Sequence, residues 1–477
     1  MTTKSTPQVP PKLPIFRPLS RLTDTFAFHA SPETFIASRL NSLASNSNNA
    51  VEEAVRSRAA VHATILNRNV AIISSHRQIE YLLTLQDENE DRDPALVATA
   101  AYQQFMSDFY PSPNLLLSDG TTHEEMQRPW KACMNMLMPV TNLVKNVILD
   151  HFSSLSSRPG EGDLYDSLKC LTWKILLQLF LGLKEADAEF AEFETLQEDL
   201  LRGQFSLFPA AVDLRFWKSP RSRGLAAKDK LLSLIRWRIE NRKVGCPFQT
   251  ETDIGLDEKV NHILLFTSSL AVKAIASLLT VFLLNVFLFD QGDLKLIDQI
   301  LSLGQDDREK LLQSTLSETE RLTPPIAGIM RRVTRDLVIP SSEANGADVL
   351  IPKGWDAWLY FAGAGRDAEI FGSSCNFFVP DRFLDSNTAP GFAFSIGSKA
   401  CLGRDMVREM CLTVARTLID DGWNMEGELP MGAIRSWLGW QNENQIEWEA
   451  WSREVKQLPT QRPVTPIKVK FKKGREV

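Results

Sequence analysis

The stretch that decides the fold is Phe394-Ser-Ile-Gly-Ser-Lys-Ala-Cys401-Leu-Gly-Arg-Asp405, and the chain after it becomes helical. A phenylalanine, two glycines and one cysteine thus come just before a helix. Gly397 and Gly403 permit backbone conformations or close approaches that a side chain would block. Cys401 lies at the expected helix N-terminus, where the helix dipole and nearby cations bias a thiol toward the thiolate.

A single thiolate in a tight loop has three chemical uses. It can be a nucleophile, a redox thiol, or one axial ligand to an iron that another molecule already holds. The alternative is a buried small hydrophobic residue, which is the common fate of a free cysteine, and we assign it to the other five cysteines. None of the six cysteines forms a CxxC pair, which argues against a disulfide scaffold or a zinc ribbon and favours a reducing compartment.

The composition indicates a folded and mildly acidic protein. Of its 477 residues, 44% are hydrophobic and 23% charged, which excludes a mainly disordered chain. A net charge of −6 makes the chain a poor candidate for nonspecific nucleic-acid binding. Residues 1–50 are rich in Pro, Ser and Asn and hold no apolar run of signal or anchor length. We therefore predict a lead-in over 1–50 without a transmembrane anchor and a single domain over 51–477.

Helical periodicity outweighs strand patterns along the chain. Helices are predicted over 124–156, 164–206, 225–242, 306–321 and 401–420. Strand-like runs cover 61–75, which reads as a hairpin, then 336–340, 349–361 and 467–473. The charge run within 83–94 predicts a solvated loop. The predicted fold class is therefore mainly α with small β-sheets.

One segment, Ile263–Phe289, resembles a membrane span, since Lys273 is its only charge and its length suffices to cross a bilayer. The other interpretation is a long helix buried in the middle of a large protein. We favour the buried helix because a lysine near the centre of a lone span is costly, and the sequence has no second such segment. The expected location is cytoplasmic, with peripheral contact to a membrane as the alternative.

Two further motifs precede the cysteine stretch. Glu318-Thr-Glu-Arg321 places a carboxylate and a guanidinium on one face of a helix that ends before Pro324. Pro380-Asp-Arg-Phe383 follows in an extended stretch. Each pattern alone is common. In this order and spacing, E-x-x-R, P-x-R-F and F-x-x-G-x-x-x-C-x-G together resemble the cytochrome P450 superfamily, from about residue 311 to residue 418.

The resemblance implies a haem-thiolate enzyme with the cytochrome P450 fold, in which a long central helix lies over a haem b (iron protoporphyrin IX). It implies that Cys401 is the iron ligand. Glu318, Arg321 and Arg382 would form a buried charge cluster that supports the cysteine loop. The cofactor-binding candidates, which include cations for the haem propionates, are Cys401, Arg331, Lys399, Arg128, His123, Phe394, Gly397 and Gly403. For His123, a plain surface histidine is an open alternative.

The central helix departs from the oxygen-activating members, which carry an acid and then an alcohol near the iron. The sequence has no acid between Val260 and Leu288, and alignment puts Val272 and Lys273 at those two places. The candidate catalytic residues are therefore Lys273, whose pKa burial would lower, and Thr267, which could supply a hydroxyl. Alternatively, Lys273 turns away from the haem and its ammonium reaches a polar group.

Three functions remain open at this point. The favoured one is monooxygenase-type oxidation of a small apolar substrate, a secondary metabolite or a lipid, with an NADPH-dependent reductase as partner. Arg404 and Arg408 are candidates for the surface that docks this reductase. The second is an oxygen-independent isomerase, dehydratase or lyase for a hydroperoxide-like substrate, because Lys399-Ala-Cys-Leu-Gly-Arg-Asp405 resembles the loop of allene oxide synthases and hydroperoxide lyases. The third is a non-catalytic haem-binding protein.

Overall fold

The chain is mainly helical with small sheets in a computed structural model, which confirms the predicted fold class. The structure describes residues 7–10, 24–28, 31–44, 60–65, 67–85, 94–137, 141–156, 162–206, 211–214, 216–241, 254–290, 294–341, 348–427, 433–440, 455–456 and 460–474. The helices are α1 Pro32–Ala44, α2 His76–Thr84, α3 Thr99–Met106, α4 Gly120–Leu137, α5 Thr141–Ser156, α6 Leu164–Leu181, α7 Ala188–Gln204, α8 Pro220–Glu240, α9 Leu256–Phe266, α10 Ser269–Leu288, α11 Leu296–Ser302, α12 Gln305–Leu322, α13 Phe361–Ala364, α14 Ala368–Phe371, α15 Arg404–Asp420 and α16 Ala433–Leu438. The strands are β1 Val61–Ile65, β2 Arg68–Ile73, β3 Leu96–Val97, β4 Gly162–Asp163, β5 Asp213–Leu214, β6 Trp217–Lys218, β7 Gly328–Val333, β8 Leu337–Ile339, β9 Val349–Ile351, β10 Asp356–Tyr360, β11 Trp423–Gly427, β12 Val455–Lys456, β13 Arg462–Pro463 and β14 Lys468–Lys473.

The largest sheet has the order β1-β2-β10-β7-β3. Its β1–β2 hairpin confirms the hairpin predicted over 61–75. Strand β10 runs parallel to β2, and β7 lies antiparallel to β10, so the sheet joins residues near 70 to residues near 330 and 357. A second sheet has the order β11-β14-β4. The charge run is not tested, because residues 86–93 lie outside the described part of the chain.

The apolar segment is buried in the fold, as the favoured interpretation expected, but it is not one helix. The stretch Leu256–Leu288 is long and apolar enough to span a membrane, and 78% of its most apolar window is buried inside the protein. Helix α9 ends at Phe266 and α10 begins at Ser269. The hydroxyl residues cause this break: Thr267 donates its hydroxyl to the Ile263 carbonyl (2.6 Å), and the Ser268 side chain accepts the Ala271 N–H (3.2 Å) as an N-cap.

Other predicted boundaries change locally. The helix expected over 124–156 is two helices, because α4 ends at residue 137 and α5 begins at residue 141. Helix α15 begins three residues after Cys401, so the cysteine lies in a loop before the helix. Helix α12 ends at Leu322, just before the predicted proline stop.

The lead-in over 1–50 also contains structure that the sequence did not indicate. Helix α1 packs Phe35 and Ile36 into a buried cluster with β1, β2 and Trp358. Further upstream, Gln8 pairs with Val349 at the edge of β9. The described parts of the lead-in thus lie on the body of the protein.

The main core brings the motif-bearing elements together. Helix α10 packs against α6, α12 and α15. Because α12 ends with the E-x-x-R motif and α15 follows the cysteine loop, this packing places both motifs on neighbouring elements.

Candidate functional site

The cysteine loop is held by backbone hydrogen bonds at both ends. The Cys401 N–H donates to the Phe394 carbonyl (2.8 Å), and the Arg404 N–H donates to the Cys401 carbonyl (3.3 Å). The side chain of Phe394 packs against the main core. The loop is therefore fixed between the body of the protein and the start of α15.

The two glycines of this loop differ in what they require. Gly397 has a φ of +75°, and a Cβ at this position would lie 2.0 Å from the Leu83 carbonyl oxygen, so only glycine fits. Gly403 has a φ of −85°, and its nearest side-chain neighbours would lie 4.0 Å from a Cβ. Among the described protein atoms, no close approach requires glycine at residue 403.

Cys401 is closely surrounded by protein although it is not shielded from solvent. The residue is solvent accessible, yet protein surrounds it closely enough that burial raises the pKa of the thiol. The backbone N–H groups of Gly403 and Arg404 point at the sulfur and oppose this increase. The expected thiolate bias from the helix N-terminus is thus present but smaller than the effect of burial. A positive group in front of the sulfur, such as a metal ion, would complete the stabilisation of the thiolate.

A second cluster lies beside this loop, around Lys399. The Lys399 ammonium donates to the Leu115 carbonyl (3.0 Å) and to the Ser118 carbonyl. It lies 3.2 Å from His123 Nδ1 and 3.6 Å from the Asp119 carboxylate. Residues from the cysteine loop, the start of α4 and the segment before it therefore meet here.

One ring nitrogen of His123 makes no hydrogen bond within the described chain. Its Nδ1 is the acceptor for the Lys399 ammonium, so the ring hydrogen lies on Nε2, which is buried and has no hydrogen-bond partner in the described chain. Burial and Lys399, opposed by Asp119, lower the pKa of His123 to about 4, and the ring is therefore neutral at pH 7. The surface-histidine alternative is wrong, since His123 is 5% exposed.

Arg331 adds a further cation to this cluster. It is 7% exposed and donates to the carbonyl of its neighbour Met330 (2.9 Å), and it pairs with no carboxylate among the residues that the structure describes. Burial lowers the pKa of Lys399 to about 8, with Asp119 opposing and Arg331 adding to the decrease. Buried cations without an anion are unfavourable, so this donor set fits a bound group with carboxylates. A haem, with two propionates and an iron for Cys401, has this chemistry.

The structure does not place Arg128 in the cluster. This residue makes no hydrogen bond or ion pair with His123, Lys399 or Arg331 within the described ranges. Gln127 Nε2 instead donates to the Ser398 carbonyl (3.4 Å). The sequence analysis missed Gln127, although its i, i+4 spacing from His123 puts both on one face of α4.

The predicted charge cluster of Glu318, Arg321 and Arg382 is assembled. The Arg321 guanidinium makes two hydrogen bonds to the Glu318 carboxylate, each 2.7 Å, and both side chains are fully buried. Arg382 Nε lies 3.1 Å from both oxygens of the same carboxylate. The Val379 N–H donates to Glu318 as well (2.9 Å). The motifs E-x-x-R and P-x-R-F are thus joined through one carboxylate.

Arg321 also fixes the chain that follows the large sheet. Its guanidinium donates to the carbonyls of Cys375 (2.7 Å), Phe377 (3.0 Å) and Gly365. A Cβ on Gly365 would lie 2.0 Å from the Arg321 carbonyl oxygen, so this close approach requires glycine. These contacts tie α12 to the segment that leads into the cysteine loop.

Lys273 reaches a polar group rather than the cysteine cluster. Its ammonium donates to Glu198 Oε2 on α7 (2.9 Å), and the Ser269 hydroxyl donates to Glu198 Oε1 (3.0 Å). Burial lowers the pKa of Lys273, and Glu198 opposes this decrease. Burial favours neutral Glu198, but Lys273 and Ser269 together hold its pKa below the usual value. This contact agrees with the alternative in which the lysine head is engaged by a polar partner.

Thr267, the other catalytic candidate, is also engaged. Its hydroxyl donates to the Ile263 carbonyl, and Gln197 Nε2 lies 3.5 Å from Thr267 Oγ1. In the described part of the chain, neither Thr267 nor Lys273 contacts Cys401 or Lys399. The candidate site is therefore the cysteine loop with the cation cluster beside it.

Comparisons with known proteins find similarity to cytochromes P450. The family model for cytochrome P450 matches residues 297–420. Cytochrome P450 26A1 of Xenopus laevis is 25% identical over 282 residues, which are 51% of this chain and 55% of the relative. Cytochrome P450 monooxygenase vrtK of Penicillium aethiopicum is 26% identical over 160 residues, 30% of this chain and 28% of the relative. The chain spans about half the length, or less, of the curated relatives it matches.

A solved structure of a retinoic acid bound cyanobacterial CYP120A1 superposes with a TM-score of 0.65 at 19% identity, and the match covers 87% of this chain and 91% of that one. A six-coordinated cytochrome P450 from Thermus thermophilus gives a TM-score of 0.61 at 18% identity, with 88% and 97% covered. These likenesses show the fold. The fold and the cysteine loop together resemble those of haem-thiolate proteins. The chain is similar to the cytochrome P450 superfamily in its fold and, over residues 297–420, in its sequence, and this similarity implies a haem cofactor.

Proposed function

We propose that the chain is a haem-thiolate oxidoreductase that binds haem b and carries out monooxygenase-type oxidation of a small apolar substrate, a secondary metabolite or a lipid. In this proposal residues 51–477 form one catalytic domain, and an NADPH-dependent reductase supplies electrons. The main support is the arrangement around Cys401. The Cys401 thiol has two N–H groups aimed at its sulfur, and it lies beside a cation cluster in which Arg331 pairs with no carboxylate of the described chain.

When bound, a thiolate-ligated haem supplies cleavage of an O–O bond and oxidation of a C–H bond. Cys401 would hold the iron, and the N–H groups of Gly403 and Arg404 would stabilise the negative charge on its sulfur. Arg331, Lys399 and the Nε2–H of His123 would bind the propionates. Phe394 and Gly397 would shape the loop, and the Glu318 charge cluster would hold the surrounding chain in place.

In this proposal, side chains of the central helix α10 form an apolar wall of the substrate pocket. Leu270, Ala271 and Ala274 keep partial accessibility in α10, as do Lys273 and Leu288. With about 100° between successive helical residues, Leu270, Ala271 and Ala274 lie about 60°, 160° and 100° around the axis from Lys273, whose ammonium binds Glu198. These three side chains carry no protic group, so a substrate placed against them would meet apolar surface and a water-poor environment.

The same observation favours a second candidate. Oxygen-independent conversion of a hydroperoxide-like substrate requires no proton donor for dioxygen cleavage, and Leu270, Ala271 and Ala274 offer none. The carboxylate that α10 contacts, Glu198, is already bound by Ser269 and Lys273. We keep the monooxygenase first, because the fungal relative is named a monooxygenase and because water or substrate could supply protons.

The first experiment tests thiolate ligation. Purified protein is reduced and exposed to carbon monoxide, and the expected Soret maximum moves to the long-wavelength position typical of thiolate ligation. The variant Cys401→Ser loses this band. The matched control Cys170→Ser, at an exposed cysteine on α6, keeps it. A colourless wild-type protein, or a band that survives Cys401→Ser, overturns the proposal.

The second experiment separates the two enzymatic candidates. A panel of apolar substrates is offered with NADPH and a reductase, and in parallel a lipid hydroperoxide is offered alone. Oxidation that depends on NADPH supports the monooxygenase. Consumption of the hydroperoxide alone, with rearranged or dehydrated products, supports the oxygen-independent enzyme and contradicts our first choice.

A further inference from the structure

A buried ion pair joins α15, the helix that follows the cysteine loop, to α12. Arg408 lies one turn after Arg404 on α15, and its guanidinium pairs with the Glu320 carboxylate on α12. The other amino group of Arg408 donates to the Ser317 hydroxyl (3.1 Å). Arg408, predicted as a reductase-docking residue, is therefore occupied inside the protein.

Glu320 lies inside the E-x-x-R motif but points away from its partners. Glu318 and Arg321 bind each other, whereas Glu320 turns to α15 and is 8% exposed. One of its oxygens, Oε1, is buried without a hydrogen-bond partner in the described chain. Burial raises the pKa of Glu320 to about 7, opposed by Arg408 and then by Arg404. The carboxylate thus faces both arginines of the first two turns of α15.

Arg404 lies in the turn that faces the sulfur, and Arg408 lies one turn further along α15. The N–H groups of Gly403 and Arg404 point at the Cys401 thiol. The Glu320 carboxylate faces this turn, so its charge acts on the same sulfur, because charges in the protein interior are poorly screened. The other ionisable group that faces Glu320 among the described residues is Cys411. This cysteine is buried, and burial raises the pKa of its thiol.

We propose that Glu320 is a positioning residue for Cys401: it holds the first turns of α15 through Arg408 and sets the charge felt by the thiolate. The proposal rests on the haem-thiolate function proposed above. A negative Glu320 offsets the two arginines and leaves the sulfur a stronger electron donor. Removal of that charge leaves the arginines unbalanced, which stabilises negative charge at the sulfur and weakens its donation to the iron.

The chain offers a matched control for this clamp. Glu309, also on α12, binds Arg416 on α15 at 2.6 and 2.8 Å. This pair joins the same two helices, but Arg416 lies twelve residues after Arg404, about 18 Å further along α15. A purely structural role predicts similar consequences for Glu320→Gln and Glu309→Gln. An electrostatic role at the sulfur predicts a consequence for Glu320→Gln alone.

The test measures the one-electron reduction equilibrium of the haem-loaded protein by spectroelectrochemistry at pH 6, 7 and 8. In the wild type, the equilibrium moves toward the oxidised form as Glu320 ionises across this range. Glu320→Gln lacks this step and favours the reduced form by about threefold or more at pH 8. Glu320→Asp restores part of the pH dependence, and Glu309→Gln behaves as the wild type.

Two results overturn the proposal. One is an equal change in Glu320→Gln and Glu309→Gln, and the other is a pH step that survives in Glu320→Gln. The carbon monoxide spectrum of the wild type reports separately on the function: its absence ends the haem-thiolate proposal, whereas its presence with either result ends only the role of Glu320. Thermal unfolding of each variant shows whether the fold is retained.

Discussion

Glu33 on α1 offers a sharp test of the energetics. Its side chain is 1% exposed, Oε1 accepts a hydrogen bond from Gln461 Nε2 (3.3 Å), and Oε2 has no partner in the described chain. Burial raises the pKa of Glu33 from 4.5 to about 8, although its own backbone N–H, Tyr360 and Arg366 oppose this. The folded protein therefore keeps a proton at pH 7 that the unfolded chain releases.

The sign of the effect follows from proton linkage. Below pH 4.5 both states hold the proton, so Glu33 contributes no penalty. Between pH 4.5 and 8 only the folded state holds it, so the free energy of unfolding decreases as the pH rises, and above pH 8 this contribution is constant. The slope is at most about 1.4 kcal/mol per pH unit and is smaller near each pKa, so the wild type loses about 3–4 kcal/mol of stability to this group between pH 5 and pH 8.

The perturbation is Glu33→Gln, which keeps the shape of the protonated side chain and the acceptor for Gln461. We expect the variant to match the wild type near pH 5 and to exceed its free energy of unfolding by about 3–4 kcal/mol at pH 8. Urea denaturation followed by circular dichroism at several pH values measures this difference. Glu80→Gln, at an exposed position on α2, serves as the control and changes little. Equal pH dependence in Glu33→Gln and the wild type refutes the reasoning.

Three further predictions concern the site. Arg331→Met weakens haem retention by about tenfold to a hundredfold, because a charge-assisted hydrogen bond contributes about 1.5–3 kcal/mol, and haemin titration measures the loss. Arg382→Met lowers the free energy of unfolding by about 3–5 kcal/mol since Glu318 loses a buried partner; a change below about 1 kcal/mol in urea denaturation contradicts this. Lys273→Met and Glu198→Gln each destabilise the protein, but the double variant recovers about 1 kcal/mol because the pair is partly exposed. If Lys273→Met alters the substrate-induced haem spectra, Lys273 contacts the substrate pocket and its placement outside the pocket is wrong.

The sequence predicted the parts of the site that lie in short motifs. Glu318 and Arg321 are one helical turn apart, so any helix there pairs them. Cys401 was identified because a glycine-rich loop before a helix is a local pattern. The boundaries moved by a few residues at Thr267 and Cys401, since hydroxyl side chains and loop hydrogen bonds decide helix ends locally, and periodicity does not register them.

The sequence predicted residues of the cation cluster but not how they meet. His123 and Arg128 were both predicted through the resemblance, and the haem-binding role of Arg128 stays a prediction. The structure gives Gln127 the contact to the cysteine loop, because the face of α4 that meets the loop repeats every four residues. The partner of Lys273 was not predictable, since Glu198 lies on another helix 75 residues away.

The sequence by itself determined the helix-rich class, the E-x-x-R pair and the single cysteine before a helix, because these depend on neighbours within a few residues. Only the tertiary structure decided that Lys399 meets His123 across 276 positions, that Arg331 finds no carboxylate among the described residues, and that Glu320 faces α15. Such encounters depend on how buried helices and sheets pack against one another. Local periodicity shows which side of an element is buried, but it does not show which distant element covers that side.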